Sequence, residues 1–497
     1  MTAVAEKLTT QESTNPASDF TLMRARQDFS EMEKWVMSPK ALALPEHEIE
    51  RGIERRSREV NRLLLQAHLQ QRGTGHLGTH LKLVSPEGEG KTLTAAREDT
   101  CQVASLFGKV TVRRTAYTTK GEEALHPLDQ KLQLPERSFS YEVQQRVVEE
   151  AVRGPFDEAV GSLSRYTGQT LSKLSVEQIV AEAGREVDDF YAARRARPGT
   201  EPVGKILVGS VDGKGVPMVK EGVAEHRVRR KKGEKANKKK MATVAAVFTQ
   251  EPRIRTPESV LASLFDDSPV QKEPASRSHD KRVWASLSRP KEAVITELAE
   301  EMAVRDPRGK KTRVVVTDGE RALQRLVMKQ TGGVLLVLDF LHVLEYLWKS
   351  AHAFYREGSR EAEHWVRKHA LMVLRGEVSQ VVKGMRQSAT KRGLLGEKRK
   401  AIMTASAYFY RNRQRMRYRD YLAQGLPIAS GVVEGACKNL VKDRMERSGM
   451  RWKLPGGEAM LKLRAVKLNG DLDEYWEYRI KREQQRLYGS YRWKILP

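Results

Sequence analysis

The sequence predicts an α/β domain that is interrupted by an all-helical insertion and preceded by mainly helical regions. Three short apolar runs have the length and the β-branched content of buried strands, and they lie at residues 205–211, 312–317 and 334–338. Each run delivers one aspartate, and these are Asp212, Asp318 and Asp339. A long basic segment with helical periodicity follows the third run. The chain has 497 residues, which is too long for one ordinary core, so we expect several domains.

The part of the chain before the first strand is predicted to be mainly helical. We expect a flexible tail at residues 1–45, where small polar residues are frequent at the start. Residues 46–137 combine a helical pattern, clearest at 46–71, with alternation at 109–117 that predicts a small β unit. Residues 138–200 show two short helices across a Gly turn with a longer helix beyond. This outline is typical of a helix-turn-helix DNA-binding region, although many three-helix bundles without a DNA role share it.

The α/β domain itself is predicted to occupy two separate stretches of the chain. Its first part spans residues 201–354, the helical insertion spans 355–425, the last part spans 426–470, and a basic tail spans 471–497. Within the first part, residues 251–289 carry Pro, Ser and Asp and are predicted to be an insertion.

Charge is the strongest compositional signal. The chain carries 89 Lys and Arg against 64 Asp and Glu, a formal net charge of +25. A protein this basic is expected to bind a polyanion, and nucleic acid is the first candidate. Two cysteines are too few for a disulfide framework. Neither a membrane-spanning run nor the apolar core of a signal peptide is present, so we expect a cytoplasmic protein.

Lysine and arginine concentrate at residues 227–240. A basic run is most often a solvated loop, but this one leaves a hairpin beside the first aspartate and returns into an apolar strand, so we favour contact with phosphates. The residues predicted to bind DNA here are Lys214, Arg227, Arg229, Arg230, Lys231, Lys232, Lys238, Lys239 and Lys240.

Carboxylates at the exits of neighbouring buried strands are expected to meet at one edge of the sheet. They repel one another unless a cation lies between them, so a divalent metal is the natural partner. The alternative is that each aspartate forms a turn or caps a helix, as Asp often does. Three such aspartates in succession weaken that alternative.

A further acid is expected from a helix that follows the insertion. Val433, Ala436, Cys437, Leu440 and Val441 recur at the helical period and form one apolar face. Glu434 falls at the border of that face, which predicts a half-buried carboxylate. The alternative role for Glu434 is helix capping from position N3, with Gly431 as the N-cap.

Other candidates are ranked lower. Glu446 and Glu458 are rival acids that lie farther along, among Arg and Gly residues. Cys437 is interpreted as a small buried core residue. His342 lies on the first helical turn after Asp339, and the two side chains are predicted to support the site, with helix capping by Asp339 as the alternative.

The insertion alternates arginine with tyrosine over residues 408–421. This pattern suits a nucleic-acid surface, because Arg contacts phosphates and aromatic rings stack on bases. An Arg-rich face that covers apolar surface explains it equally well.

Four motifs together resemble those of bacterial insertion-sequence transposases of the ISKra group, which are relatives of the Mutator-like elements. The motifs are Asp212-Gly-Lys-Gly, Thr317-Asp-Gly, Leu338-Asp-Phe-Leu-His342 and, above all, the long stretch from Ser430-Gly-Val-Val-Glu-Gly-Ala-Cys-Lys-Asn-Leu-Val to Met450-Arg-Trp452. The likeness covers nearly the whole chain from about residue 46.

The resemblance implies a DDE transposase with an RNase H-like catalytic domain. The catalytic and metal-binding triad would be Asp212, Asp318 and Glu434, with Asp339 and His342 in support. The implied cofactor is two Mg²⁺ ions, for which Mn²⁺ could substitute. The implied partner is double-stranded DNA, both the element's terminal inverted repeats and the target, held by a homodimer or higher oligomer associated with the nucleoid.

Further DNA contacts are expected beside the third acid, from Lys438, Lys442, Arg444, Arg451 and Trp452. For Trp452, packing in the core is the favoured alternative. Two other classes of protein stay open: a transposase-derived DNA-binding protein without catalysis, and a magnesium-dependent phosphohydrolase on a doubly wound sheet.

Overall fold

A computed structural model describes residues 15–84, 90–121, 123–197, 203–219, 239–265, 278–489 and 492–495. The strands are β1 (His80–Val84), β2 (Gly90–Ser105), β3 (Gly108–Thr118), β4 (Ile206–Pro217), β5 (Lys239–Gln250), β6 (His279–Ser286), β7 (Thr312–Thr317), β8 (Leu335–Leu338) and β9 (Arg492–Ile495).

The helices of the first half are α1 (Pro16–Val36), α2 (Pro39–Leu42), α3 (Glu46–Gln71), α4 (Pro127–Leu132), α5 (Tyr141–Arg153), α6 (Phe156–Thr167), α7 (Lys173–Ala183), α8 (Val187–Arg195), α9 (Pro257–Phe265) and α10 (Lys291–Arg305). Those of the second half are α11 (Arg321–Thr331), α12 (Phe340–Phe354), α13 (Arg360–Leu374), α14 (Val378–Lys391), α15 (Gly396–Asn412), α16 (Tyr418–Ala423), α17 (Gly431–Ala436), α18 (Asp443–Met445), α19 (Leu454–Asn469) and α20 (Leu472–Tyr488). None of the helices in the described ranges combines the length and the apolar character needed to cross a bilayer.

The chain forms two compact units, one made of Met1–Glu186 with Asp473–Pro497 and the other of Val187–Leu472. The first unit contains a four-stranded antiparallel sheet in the order β3-β2-β1-β9. The segment 471–497, predicted to be a basic tail, contains helix α20 and strand β9.

The amino-terminal helices also correct the prediction of a flexible tail at residues 1–45. Residues 16–36 form α1, because Pro16 starts the helix and the Asn15 side chain accepts a hydrogen bond from the Ala17 N–H. Ser38 caps α2 in the same way. Gly52 on α3 lies directly against Trp35, where a Cβ would come within 2.1 Å of the indole ring. Residues 1–14 lie outside the described part of the chain.

The first two helices of the predicted helix-turn-helix region are present as α5 and α6. Helix α5 begins at the N-cap Ser140, and α6 ends at Gly168, which adopts the left-handed conformation (φ 66°). The third predicted helix, 172–193, is two helices, α7 and α8, and the unit boundary falls between them.

The second unit is a mixed α/β domain. Its five-stranded sheet has the order β6-β5-β4-β7-β8, in which β4, β5 and β6 are antiparallel neighbours and β7 and β8 run parallel to β4. Strand β6 corrects the prediction that all of residues 251–289 form an insertion. The first four residues of β6 are polar or charged, which is typical of an edge strand. The sequence pattern therefore did not predict it.

The helical insertion packs on this sheet. Helices α13 to α16 share one hydrophobic core with β7, β8 and α12, to which Val316, Leu338, Leu347, Val366 and Phe409 all belong. Gly209 on β4 faces α10 instead, because a Cβ there would lie 3.0 Å from the Met302 sulfur. The sheet is therefore covered by helices on both faces.

Candidate active site

Asp212 and Asp318 occupy matching positions on neighbouring strands. In the parallel pair β4 and β7, Val211 lies opposite Thr317, and an aspartate follows each of them. Asp318 comes directly after β7, whereas β4 continues past Asp212 to Pro217, so the prediction that the first strand ends at Asp212 is wrong. Burial raises the pKa of Asp318 above its ordinary value, and the Asp212 carboxylate raises it further. The sequence prediction that these two acids meet at one edge of the sheet is consistent with this register.

The turn after Asp318 requires glycine. Gly319 has a φ of +89°, and a Cβ there would lie 2.8 Å from Leu338 Cδ1 and 2.9 Å from the Tyr408 hydroxyl. Asp318 Oδ1 accepts a hydrogen bond of 3.0 Å from the Glu320 N–H, which closes the turn. Asp318 is thus held against the sheet end rather than released into a loop.

Glu434 lies on α17, and the apolar face predicted for this segment is buried at all five positions. Ser430 is the N-cap rather than Gly431, so Glu434 is not at position N3, and the Ser430 N–H donates to Asp339. Burial raises the pKa of Glu434, and the carboxylates of Asp339 and Asp212 raise it further. A half-buried carboxylate that two other carboxylates repel is suited to bind a cation.

The helix changes pitch immediately after Glu434. Residues Cys437–Lys442 form a π-helix, a rare geometry that often occurs at functional sites. The Cys437 thiol donates a hydrogen bond of 3.3 Å to Asp212 Oδ2, which connects this helix to β4. Burial raises the pKa of Cys437 above its ordinary value, so the thiol stays protonated and serves as a donor.

Asp339, His342 and Glu434 place one potential ligand atom each within 4.8 Å of one another. Asp339 is buried, however, and both its oxygens are engaged. Oδ1 accepts a hydrogen bond of 2.8 Å from the Leu341 N–H, which confirms the capping role, and Oδ2 accepts from the N–H and the hydroxyl of Ser430. Asp339 therefore fixes the residue that begins the Glu434 helix.

His342 is the cation of this cluster. Its Nδ1 atom lies 3.9 Å from Asp339 Oδ2, and the Asp339 carboxylate raises the pKa of His342 to about 9 against the opposing effect of burial. The Nδ1 atom is buried and makes no hydrogen bond within the described part of the chain. The protonated ring balances the acidic charge, and the neutral ring offers this nitrogen as a ligand. Asp212 and Asp318 lie outside this group of potential ligands, although the Asp212 carboxylate raises the pKa of both Asp318 and Glu434.

The rival acids have other partners. Glu446 pairs with Lys239 at 2.6 Å. Glu458 is buried and accepts hydrogen bonds from the Ser286 hydroxyl and the Leu287 N–H, both 2.7 Å, which fixes the turn after β6. This arrangement supports the lower rank that sequence reasoning gave to both.

The residues predicted to bind DNA fall into three groups. Lys239, Lys240, Lys438, Lys442 and Arg451 are exposed, and Lys214 is half-buried. Arg227, Arg229, Arg230, Lys231, Lys232 and Lys238 lie outside the described residues. Arg444 and Trp452 are buried, and the Trp452 indole N–H donates to the Met445 carbonyl at 3.1 Å.

Burial removes Arg444 and Trp452 from the set of DNA contacts, because neither side chain is accessible to a duplex. The Arg444 guanidinium lies over the Trp452 ring, 4.9 Å from its centroid, so the pair packs together in the core. This corrects the prediction for both residues and favours the core alternative that the sequence left open for Trp452.

The arginine and tyrosine pattern of the insertion separates in the same way. Tyr408, Tyr418 and Tyr421 are buried, whereas Arg411, Arg413 and most of the alternating arginines are exposed. Across the end of α15, the following turn and α16, these tyrosines therefore pack in the core while the arginines face solvent, and the three rings are not available to stack on bases.

One comparison with known proteins bears on the chain. Residues 44–244 match the profile of a family described as Uncharacterised protein family (UPF0236). No curated protein matches the sequence. The matched segment is less than half of the chain; it includes Asp212 and ends before Asp318, Asp339 and Glu434. The match therefore covers the part of the first unit from residue 44 to residue 186 and, in the second unit, the chain as far as the first half of β5.

Proposed function

We propose that the second unit is an RNase H-like domain and that the chain is a DDE transposase. The strand order supports the fold, because three antiparallel strands in succession followed by two parallel strands on the other side of β4 is the arrangement of an RNase H-like sheet. The magnesium-dependent phosphohydrolase alternative called for a doubly wound, mainly parallel sheet, which this meander of β4, β5 and β6 disfavours.

The observation that carries the proposal is that the Asp212 carboxylate acts on two other acids, Asp318 after the neighbouring strand and Glu434 on α17. Burial and repulsion by Asp212 raise the pKa of both Asp318 and Glu434, so negative charge accumulates around Asp212 in the metal-free site. Such a site gains free energy from a divalent cation. When bound, Mg²⁺ would activate an oxygen nucleophile and stabilise the leaving oxygen of a phosphodiester.

The protein's own residues would then orient the reaction. Asp212, Asp318 and Glu434 hold the charge at the scissile phosphate, while Asp339 keeps the Glu434 helix in register through Ser430. Cleavage leaves a DNA 3′-hydroxyl, which attacks a target phosphodiester and displaces a new 3′-oxygen, so no protein nucleophile is needed. The thiol nearest to the site, that of Cys437, is protonated and bound to Asp212, which fits such a direct transfer.

Double-stranded DNA is the proposed partner. Lys438 follows Glu434 by one helical turn and Lys214 follows Asp212 by two residues, which places positive charge beside the acids. Helix α7 is less suited to read bases, because its Lys173 pairs with Asp157 at 2.9 Å and its exposed face also carries Glu177. We therefore assign backbone contact to the second unit, in a homodimer or higher oligomer that holds two DNA ends.

The proposal is tested first on the DNA that flanks the gene. Imperfect inverted repeats on both sides are expected, and purified protein should cut at their outer ends in Mg²⁺ and not in EDTA. Binding to these ends without any cutting, in Mg²⁺ or Mn²⁺, would instead support the DNA-binding protein without catalysis.

Neutralising the lysines beside the acids should weaken DNA binding without changing sequence preference. In the variant Lys214→Ala, Lys438→Ala, Lys442→Ala, the slope of log affinity against log salt is expected to flatten by about 0.9 for each phosphate that the protein no longer neutralises. The measurement is binding to labelled duplexes over a range of salt concentrations.

The matched control removes the same charge elsewhere on the unit. Lys398, Arg399 and Lys400 are exposed at the start of α15, and their replacement by alanine should change the salt slope less. Equal slopes in the two triple variants would place the DNA away from the three acids.

A further inference from the structure

Two tyrosines of the helical insertion donate hydrogen bonds to the ends of the central strands. The Tyr408 hydroxyl on α15 donates to the backbone carbonyl of Asp318 at 2.5 Å. The Tyr418 hydroxyl on α16 donates to the carbonyl of Leu338, the residue before Asp339, at 2.8 Å. The insertion thus contacts the backbone where β7 and β8 deliver their aspartates.

The Tyr408 side chain is held in place by close packing. Its ring is buried and stacks on Tyr346, with centroids 4.1 Å apart and planes within 20°. Gly319 packs against it so closely that even a Cβ would lie 2.9 Å from the hydroxyl. Burial raises the pKa of Tyr408 far above its ordinary value, so the phenol is neutral and remains a donor.

The carbonyl that Tyr408 holds is the first one outside the sheet. The pairing of β7 with β8 ends at Thr317 and Leu338, so strand hydrogen bonds do not fix the peptide that follows Asp318. The Asp318 carboxylate is itself bound to the Glu320 N–H in the same turn. A rotation of this turn would therefore carry the carboxylate with it.

We propose that Tyr408 is a positioning residue for Asp318, so that the helical insertion is part of the framework of the active site. The proposal rests on the proposed function, because it assigns Tyr408 a role through an acid that holds metal. The phenol fixes the Asp318 peptide, and the peptide fixes the direction of the carboxylate. Mg²⁺ demands a near-ideal arrangement of its ligands, so a small error in that direction is costly.

The variant Tyr408→Phe removes only the hydroxyl. Loss of a group that orients a metal ligand typically costs 10- to 100-fold in metal affinity or activity, and we expect a change of about that size in cleavage rate or in the Mg²⁺ concentration for half-maximal rate. Tyr421→Phe is the matched control. It removes a hydroxyl from another buried tyrosine of the insertion, whose bond to the Gln414 carbonyl is long at 3.5 Å.

The experiment uses the full chain and two readouts. Amide hydrogen exchange of the metal-free protein should be faster at residues 318–320 in Tyr408→Phe than in Tyr421→Phe, with the rest of the second sheet unchanged. A Mg²⁺ titration of DNA cleavage should then show the shift in Tyr408→Phe alone. The positioning role is wrong if Tyr408→Phe has the same exchange rates at residues 318–320 as Tyr421→Phe and reaches half-maximal cleavage at the same Mg²⁺ concentration.

Failure of the two proposals is distinguishable. A wild-type protein that cuts no DNA in Mg²⁺ contradicts the proposed function, while the exchange comparison still decides whether Tyr408 fixes the Asp318 turn. If the wild type cleaves DNA and Tyr408→Phe matches it in exchange and in Mg²⁺ dependence, the positioning role is wrong and the proposed function is unaffected.

Discussion

Asp212→Asn, Asp318→Asn and Glu434→Gln are each expected to lower the rate of DNA cleavage in Mg²⁺ by at least about 10³-fold. Metal ions supply several kcal/mol of charge stabilisation in the transition state, and about 4 kcal/mol corresponds to that factor. An amide keeps the shape of the side chain but loses the charge that holds the cation. The measurement is single-turnover cleavage of end DNA by each purified variant.

The same variants should fold as well as the wild type, or better, when metal is absent. The folded-state pKa values of Asp318 and Glu434 are raised, so their ionisation above the ordinary carboxyl pKa destabilises the fold. Glu446→Gln is the control, because it removes one carboxylate that pairs with Lys239. Any triad variant that cleaves as fast as this control would show that its acid is wrongly assigned.

His342 should make the metal-free protein less stable as the pH rises from about 7 to about 10. Its pKa is about 9 in the folded protein and about 6.5 in the unfolded chain, so its contribution is complete below 6.5 and is lost as the pH passes through 9. The partly exposed ring limits the effect to no more than about 3 kcal/mol in the free energy of unfolding. Chemical denaturation in EDTA across this range measures it, and His342→Gln should remove this part of the pH dependence.

His369 gives a control of opposite sign. Burial lowers its pKa, so its contribution is present above the ordinary histidine pKa and is lost as the pH falls. His369→Gln should therefore flatten the acid side of the stability profile and leave the alkaline side unchanged. An alkaline loss of stability that persists in His342→Gln would mean that His342 is neutral beside Asp339.

The strands that carry the acids could be predicted because they are apolar and continuous. β7 begins and ends at the predicted residues 312–317, and helix α3 spans the predicted 46–71. Strand β6 was missed because its first four residues, 279–282, are polar or charged, and α1 was missed because the residues that it buries, Ser18, Thr21 and Ala25, are small. Hydrophobic periodicity identifies an element by its apolar buried face, so it does not identify elements that bury few large apolar residues.

The connections within the site left no pattern in the sequence. The bond from Tyr408 to the Asp318 carbonyl joins a side chain to a backbone atom 90 residues away, and any residue type could supply that carbonyl. The contact of Cys437 with Asp212 depends on the π-helix, which helical periodicity does not predict. The sequence offered helix capping by Asp339 as the alternative interpretation. It could not show the hydrogen bond from Ser430 to Asp339, because that contact depends on how the chain folds.

The most direct test of the central claim is strand joining in vitro. A duplex with the end sequence and a free 3′-hydroxyl is incubated with the protein, Mg²⁺ and a supercoiled target plasmid. If Asp212, Asp318 and Glu434 form a transposase site, the labelled end becomes covalently joined to the plasmid. Joining should disappear with a 3′-dideoxy end, with EDTA and with Glu434→Gln. Joining that survives the Glu434→Gln substitution, or no joining by a wild type that binds the end, would contradict the account.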